Sequence, residues 1–215
     1  MDSTTQLLTQ CYTGVMNDVM REMGESNYVL PRYLRPLTDG TVLAGPVFTI
    51  EGVVDTSMGE HESLVEWTGL LSKAKPGHIW ISQPHDDSVA HMGELSAETL
   101  QSKGILGCVV DGAIRDVSFI RKIGLPVFHH LSTPCDVVGY WKPTGFDVPI
   151  TIGDVLIHPG DYILADDDGV IRIPKEKALQ IAKAAFDATQ VENKVRTAIL
   201  AGMDAQKAYL TYGKF

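Results

Sequence analysis

Apolar residues recur at helical spacing from residue 5 to residue 23, where Cys11, Val15, Met16, Val19 and Met20 fall on one face. The pattern predicts one amphipathic helix there, capped by Ser3 or Thr4 and ended by Gly24, with its methionine-rich stripe in the core. Residues 27–40 contain Pro31 and Pro36 and read as a connector. Residues 41–54 are rich in β-formers and are expected to break at Gly45-Pro46. A helix is predicted from His61 to Ala74 and a strand from His78 to Ser82. Two helix–strand units follow. Glu94–Lys103 is helical, Ile105–Val110 is a continuous apolar run of the kind found in buried parallel strands, Asp116–Ile123 is helical, and Pro126–His130 is a strand. This alternation implies adjacent parallel strands with right-handed crossovers.

After residue 146 the apolar runs shorten to VPITI, VLI, YILA and GVIRI, split by Gly, Asp and Pro, and they predict a small antiparallel set. A long helix over 175–200 and a short tail helix close the chain, which reads as one domain over residues 1–215.

Composition narrows the function classes. The 215 residues are 44% hydrophobic and 21% charged, enough for a sizeable core without disulfides. The three cysteines form no CxxC pair, so neither a disulfide framework nor a zinc cluster is expected; Cys108 reads as a small core residue. The N-terminus lacks the basic and apolar regions of a signal peptide, and no run approaches a membrane span, which predicts a cytoplasmic protein. A net charge of -9 with scattered lysines and arginines argues against direct nucleic-acid binding.

Candidate chemistry concentrates in residues 93–130. Ligands in open α/β sheets bind beyond the carboxyl ends of the strands, where helix N-termini present free N–H groups. The N–H groups of Leu95 and Ser96 suit a carboxylate, and Arg115 adds a two-pronged grip on the same group. Taken singly, Asp116 fits a helix N-cap, Asp111 an Asp-Gly turn and Glu94 a first-turn acid. Together, three acids and one arginine are expected to converge on one crevice. Asp116 as a single direct ligand for a hard cation, with Glu94 holding coordinated waters, matches the habit of Mg²⁺. Such a cation also suits the two oxygens of a 2-oxo acid and the enolate formed from it.

Gly93-Glu94-Leu95, then nineteen residues, then Arg115-Asp116 resembles the signature of the RraA-like family, which includes the 4-hydroxy-4-methyl-2-oxoglutarate/4-carboxy-4-hydroxy-2-oxoadipate aldolases. VVDGAIRD, LPVF, HPGDYILADDDGVIRIP and the closing YGKF extend the likeness over most of the chain. The resemblance implies an α/β chain with the swivelling β/β/α three-layer fold, a parallel sheet stacked on an antiparallel one. It implies a class II pyruvate aldolase that also decarboxylates oxaloacetate, assembled as a homotrimer or a dimer of trimers with the site near a subunit boundary. By the same resemblance Gly93, Glu94, Leu95, Ser96 and Arg115 bind the pyruvyl part of the substrate, Asp116 ligates Mg²⁺ or Mn²⁺, and Glu94 orients waters on the metal. Glu192 of a neighbouring subunit is a candidate to complete the site.

The sequence departs from the family where many relatives carry an arginine after the PVF segment: here stand His129 and His130. His130 is the candidate contact for a distal substrate carboxylate, and His61, His85 and His91 are candidates for the mouth of the site. Two other readings stay open. One is a non-catalytic regulator that binds ribonuclease E, for which an acidic surface is suited. The other is a Schiff-base aldolase, for which Lys142 is the odd lysine. A methyltransferase is disfavoured, because no Gly-rich loop follows an early strand.

Overall fold

The computed structural model describes residues 1–214; Phe215, the last residue of the closing motif, lies outside them. The chain opens with two short helices, α1 (Ser3–Leu8) and α2 (Thr13–Glu22), in place of the single expected one. The break follows from capping. Asp2 caps α1 by accepting the Thr5 N–H at 3.0 Å. α2 starts afresh because Asp166, far along the chain, accepts both the Thr13 N–H at 2.7 Å and its hydroxyl at 2.6 Å. Both helices still bury one apolar face, with Met16 and Met20 fully buried, each burial stabilising by about 1.5–3 kcal/mol.

β1 (Arg35–Pro36) is a two-residue edge piece, and β2 (Leu43–Val54) is a long strand. The expected break at Gly45-Pro46 does not occur. Leu43–Pro46 pair antiparallel with β9 (Tyr162–Asp166), and Val47–Glu51 pair parallel with β3 (Ile79–Gln83). Proline lacks an N–H, and it sits where the strand changes partner.

Between these lie α3 (Glu60–Ser72), α4 (Glu94–Ser102), β4 (Gly107–Ile114), α5 (Val117–Ile123), β5 (Val127–Ser132), β6 (Trp141–Phe146), β7 (Ile150–Ile152) and β8 (Val155–Ile157). β10 (Gly169–Ile173), α6 (Ala178–Leu200) and α7 (Ala205–Tyr212) complete the chain. The main sheet runs β1-β5-β4-β3-β2-β9-β10, with β6 also paired to β2 and β7–β8 forming a separate hairpin. β3, β4 and β5 are parallel neighbours, as the sequence predicts, and β2 adds a fourth parallel strand beside β3.

Three apolar cores separate the layers. One lies between the parallel strands and α3, α4 and α5, and holds Trp80, Cys108 and Val110. A second lies between the other face of those strands and the antiparallel strands, and holds Ile81, Val109, Phe128, Ile152 and Ile163. The third joins α1, α2 and α6 to β9 and β10. This is the α/β arrangement that the resemblance implies, a parallel sheet against an antiparallel one with helices outside. Among the described residues no helix is long and apolar enough to cross a membrane.

Candidate active site

The segment leading into α4 is tied to the end of β4. Ala90 bridges Ala113, the His91 N–H donates to the Ala113 carbonyl at 2.8 Å, and the Arg115 N–H donates to the Met92 carbonyl at 2.8 Å. These bonds bring Gly93 and Glu94 beside Arg115 and Asp116, although about twenty residues separate the pairs.

Asp116 has left-handed backbone angles, φ 59° and ψ 32°. For a non-glycine residue this conformation costs on the order of 1–3 kcal/mol, and such residues cluster at functional sites. Asp116 precedes α5 but makes no side-chain cap on it. Its Oδ2 instead accepts the Glu94 N–H of α4 at 3.1 Å. The reading of Asp116 as a cap therefore applies to the neighbouring helix. The Leu95 and Ser96 N–H groups, in the same first turn, have no acceptor among the described residues.

Gly93 permits this approach. A Cβ there would stand 2.8 Å from Asp116 Oδ2 and 3.3 Å from Arg115 Cγ and Nε. Arg115 Nε lies 3.5 Å from Asp116 Oδ2, and Nη1 lies 3.4 Å from Asp136 Oδ2. These groups are half-exposed, so the pairs contribute at most about 1 kcal/mol each. Their effect is to hold the guanidinium between two carboxylates.

The groups surround a cavity of about 350 Å³. Its polar end is formed by Gly93, Glu94, Ser96, Arg115, Asp116 and Asp136. The apolar part of the lining is the wall formed by Leu64, Trp67, Leu71, Met92, Val137 and Val138. The Trp67 indole N–H donates to Ser96 Oγ at 3.1 Å, which fixes the wall against the start of α4.

The structure thus brings together Gly93, Glu94, Leu95, Ser96, Arg115 and Asp116. Asp111 does not join them. β4 continues through Asp111-Gly112 with a register shift, and strand alternation turns Asp111 to the opposite face of the sheet. There it accepts the Tyr33 hydroxyl at 2.8 Å and the Gln83 amide at 2.5 Å. The third acid of the cavity is Asp136 instead. His130 is also absent from the lining: its Nδ1 lies 3.2 Å from Asp87 and its ring centroid 4.2 Å from that of Tyr33.

His85 pairs with Glu51. His91 is buried, with Nε2 3.1 Å from Asp86, and burial pushes its pKa down despite that carboxylate. His61 stands exposed on α3. Glu192 lies on α6 beside Val195 and Ile199, outside the cavity of its own chain. Lys142 is bonded to Asp55 at 2.5 Å, and that bond raises its pKa, the reverse of what a Schiff-base lysine requires. Asp136, Leu64, Trp67 and the Val137-Val138 pair were not foreseen. Only the Trp67 position on an apolar helix face gave a signal.

A helix start, an arginine and a left-handed aspartate thus meet at one cavity beyond the strand ends of an α/β fold. The sequence matches the RraA-like family, described as Aldolase/RraA, over residues 13–172, and the chain belongs to that family. It is 32% identical to a Halalkalibacterium halodurans protein named "Putative 4-hydroxy-4-methyl-2-oxoglutarate aldolase", over 82% of this chain and 81% of that one. It is 28% identical to protein DlpA of Legionella pneumophila, over 99% of this chain but only 34% of DlpA, so the chain spans about a third of that relative. The crystal structure of Streptomyces coelicolor RraAS2, described as an unusual member of the RNase ES inhibitor RraA family, superposes with a TM-score of 0.78 at 29% identity, covering 91% of this chain and 97% of that one.

Proposed function

We propose that the protein is a divalent-metal-dependent lyase that cleaves a 4-hydroxy-2-oxo acid to release pyruvate, and that it also decarboxylates oxaloacetate. The observation that carries the reading is the left-handed Asp116, which gives one carboxylate oxygen to the start of α4 and leaves Oδ1 without a hydrogen bond among the described residues. A single free carboxylate oxygen fits Mg²⁺ or Mn²⁺, which keep several waters. It does not fit an all-protein cage, and no group of three or more His, Cys, Asp or Glu is set to enclose a cation among the described residues.

When bound, the cation would supply Lewis-acid stabilisation of charge developing on the 2-oxo oxygen. The chain's own groups do the rest. Arg115 and the Leu95 and Ser96 N–H groups hold the C1 carboxylate, as an oriented guanidinium and a helix start do for anions. Asp136 and Asp116 fix the guanidinium from both sides. Glu94, at the rim, orients solvent. Positioning of this kind lowers the barrier because reacting groups need no reorganisation at the moment of reaction. The name of the Halalkalibacterium relative supports the reading.

The test is loss of oxaloacetate and cleavage of 4-hydroxy-2-oxo acids with Mg²⁺ or Mn²⁺, with and without EDTA. Turnover is expected to need the cation and to vanish in Asp116→Ala; metal-independent turnover would count against the mechanism. The assembly expected from the resemblance, a trimer or dimer of trimers, is part of the proposal and is measured by light scattering.

The likeness to RraAS2 favours a second reading, a regulator that binds a ribonuclease E-type enzyme. The net charge of -9 suits a basic partner segment. Co-purification with ribonuclease E, without turnover of any 2-oxo acid, would favour it.

A further inference from the structure

We infer that the buried Asp86–His91 pair is the positioning element of the site: it locks residues 84–92 into a turn seated on β4 and so fixes where the first turn of α4 stands relative to Arg115 and Asp116. The catalytic consequence of that placement rests on the lyase reading above; the placement itself does not.

Asp86 gathers four donors. Its Oδ2 accepts the N–H groups of Ser88 and Val89, each at 3.1 Å, and lies 3.1 Å from His91 Nε2. Its Oδ1 accepts the Ser88 hydroxyl at 2.6 Å. A carboxylate tolerates burial only when its oxygens are bonded in this way, and an aspartate bonded to the backbone just ahead of it forms a turn. His91 closes that turn. Burial lowers its pKa and keeps the ring neutral, so with the proton on Nε2 its Nδ1 is a buried acceptor without a partner among the described residues. An apolar side chain would fill the place without that penalty, so what the histidine contributes is its bond to Asp86. Its ring stands edge-on to Trp141, 5.2 Å between centroids, and the Trp141 indole N–H donates to the Pro84 carbonyl at 2.9 Å. One tryptophan thus holds both ends of the turn.

The turn rests directly on β4. A Cβ on Gly112 would stand 2.8 Å from Pro84 Cγ, 3.1 Å from the Asp86 carbonyl oxygen and 3.2 Å from His91 Cδ2. The His91 and Asp86 side chains are 2% and 8% exposed within the single chain, so their packing needs no neighbouring copy. The exit from the turn delivers the site. The Ala90 N–H donates to the Cys135 carbonyl at 2.9 Å, which ties down the residue before Asp136. Met92 accepts the Arg115 N–H, and only Gly93 separates Met92 from Glu94, whose N–H meets Asp116. Neither Asp86 nor His91 lines the cavity, so the pair acts through the segment it holds. A misplacement of about 1 Å imposed from a distance can cost roughly 100-fold in rate.

The experiment uses the full chain and compares Asp86→Ala, Asp86→Asn and, as a destabilised control remote from the site, Asp161→Ala. Backbone amide exchange, followed by mass spectrometry, reports placement without any activity. Oxaloacetate loss and deuterium exchange at C3 of pyruvate, with Mg²⁺ and well below every melting temperature, report the consequence. In Asp86→Ala the amides of residues 90–96 should exchange about tenfold faster or more while those of β3 and β4 keep their protection. Its kcat/KM should fall by about 10- to 100-fold. Asn keeps an oxygen for the Ser88, Val89 and His91 donors and should restore kcat/KM to within about threefold of the parent. Asp161→Ala should melt earlier yet keep its kcat/KM. Unchanged amide exchange over residues 90–96, or a rise spread evenly over the chain, overturns the inference. So does an equal loss of activity in Asp161→Ala, an Asn variant no better than Ala, or faster local exchange with parental kcat/KM. If Asp86→Ala does not fold, Gly112→Ala, which presses a methyl group on the same turn, is judged by the same local exchange and the same loss of kcat/KM. A parent protein without metal-dependent turnover removes the lyase reading, and amide exchange then decides the placement alone.

Discussion

Gly93→Ala isolates the geometry on which the proposed chemistry depends. The residue has φ -142° and ψ -177°, so alanine fits its backbone without strain and the effect of the methyl group is steric. The methyl carbon would lie 2.8 Å from Asp116 Oδ2, where 3.4–4 Å is ordinary contact. The carboxylate must therefore move by about 0.6 Å. It is held in a left-handed backbone and hydrogen-bonded to the Glu94 N–H at 3.1 Å, so it has little freedom to yield. Losing a hydrogen bond to a charged group costs roughly 1.5–3 kcal/mol. If that cost falls on the transition state, kcat/KM drops by about 10- to 150-fold. Folding should change little, because Gly→Ala at a compatible site gains about 0.4–1 kcal/mol through the unfolded chain and offsets part of the loss. A net change of about 1 kcal/mol moves Tm by roughly 2–4 °C in a chain of this size. Pyruvate exchange and oxaloacetate loss measure the first effect, and a thermal melt measures the second. Activity within twofold of the parent protein would show that the Gly93–Asp116 approach does not matter to the reaction.

Asp161 is buried and accepts the Arg172 Nε–H at 2.7 Å and the N–H groups of His158 at 2.8 Å and Lys175 at 3.0 Å. Asp161→Ala strands that arginine, at a cost of roughly 3–5 kcal/mol, and Tm in calorimetry should fall by roughly 6–20 °C. Burial depresses the pKa of both His91 and His129 in the folded chain. Their unfolded forms take up protons near pH 6.5 while the folded forms resist, so stability is full above that pH and declines as the pH falls below it. Tm should drop between pH 7 and pH 5, and His91→Gln, which removes one titrating group beside Asp86, should flatten that slope. Borohydride reduction in the presence of pyruvate should leave Lys142 unmodified, by mass spectrometry, because its bond to Asp55 keeps it protonated; an adduct there would restore the Schiff-base alternative.

The parts of the site that were legible in the sequence are those that local signals mark. Gly104 and Gly124 end helices, the 105–110 run is uniformly apolar, and the two helix starts are placed by the alternation itself. The errors arose where one residue type serves two purposes. Pro46 reads as a breaker, yet a strand can carry proline where it needs no donor, as here between two partners. Asp111-Gly112 reads as a turn, but it is an irregularity inside β4 that places Asp111 with Tyr33 and Gln83. The break between α1 and α2 was invisible because both helices feed the same core and the apolar period runs through it. Asp166 causes that break from across the fold, and no local pattern reports such a contact. Asp136 was missed for the same reason: it follows Cys135 in an irregular segment and gains meaning only beside Arg115.

β2 belongs to both halves of the mixed sheet within its twelve residues. Side chains along a strand alternate in direction, so inserting or deleting one residue near Pro46 would reverse the facing of one half relative to the other. Leu43 and Val47 now enter one core while Phe48 and Ile50 enter another. Length variation in this region is therefore confined to the connections at the two ends of the strand. The single shared backbone also sets the position of β3, and through it of β4, whose tip carries Arg115, relative to the antiparallel half of the molecule.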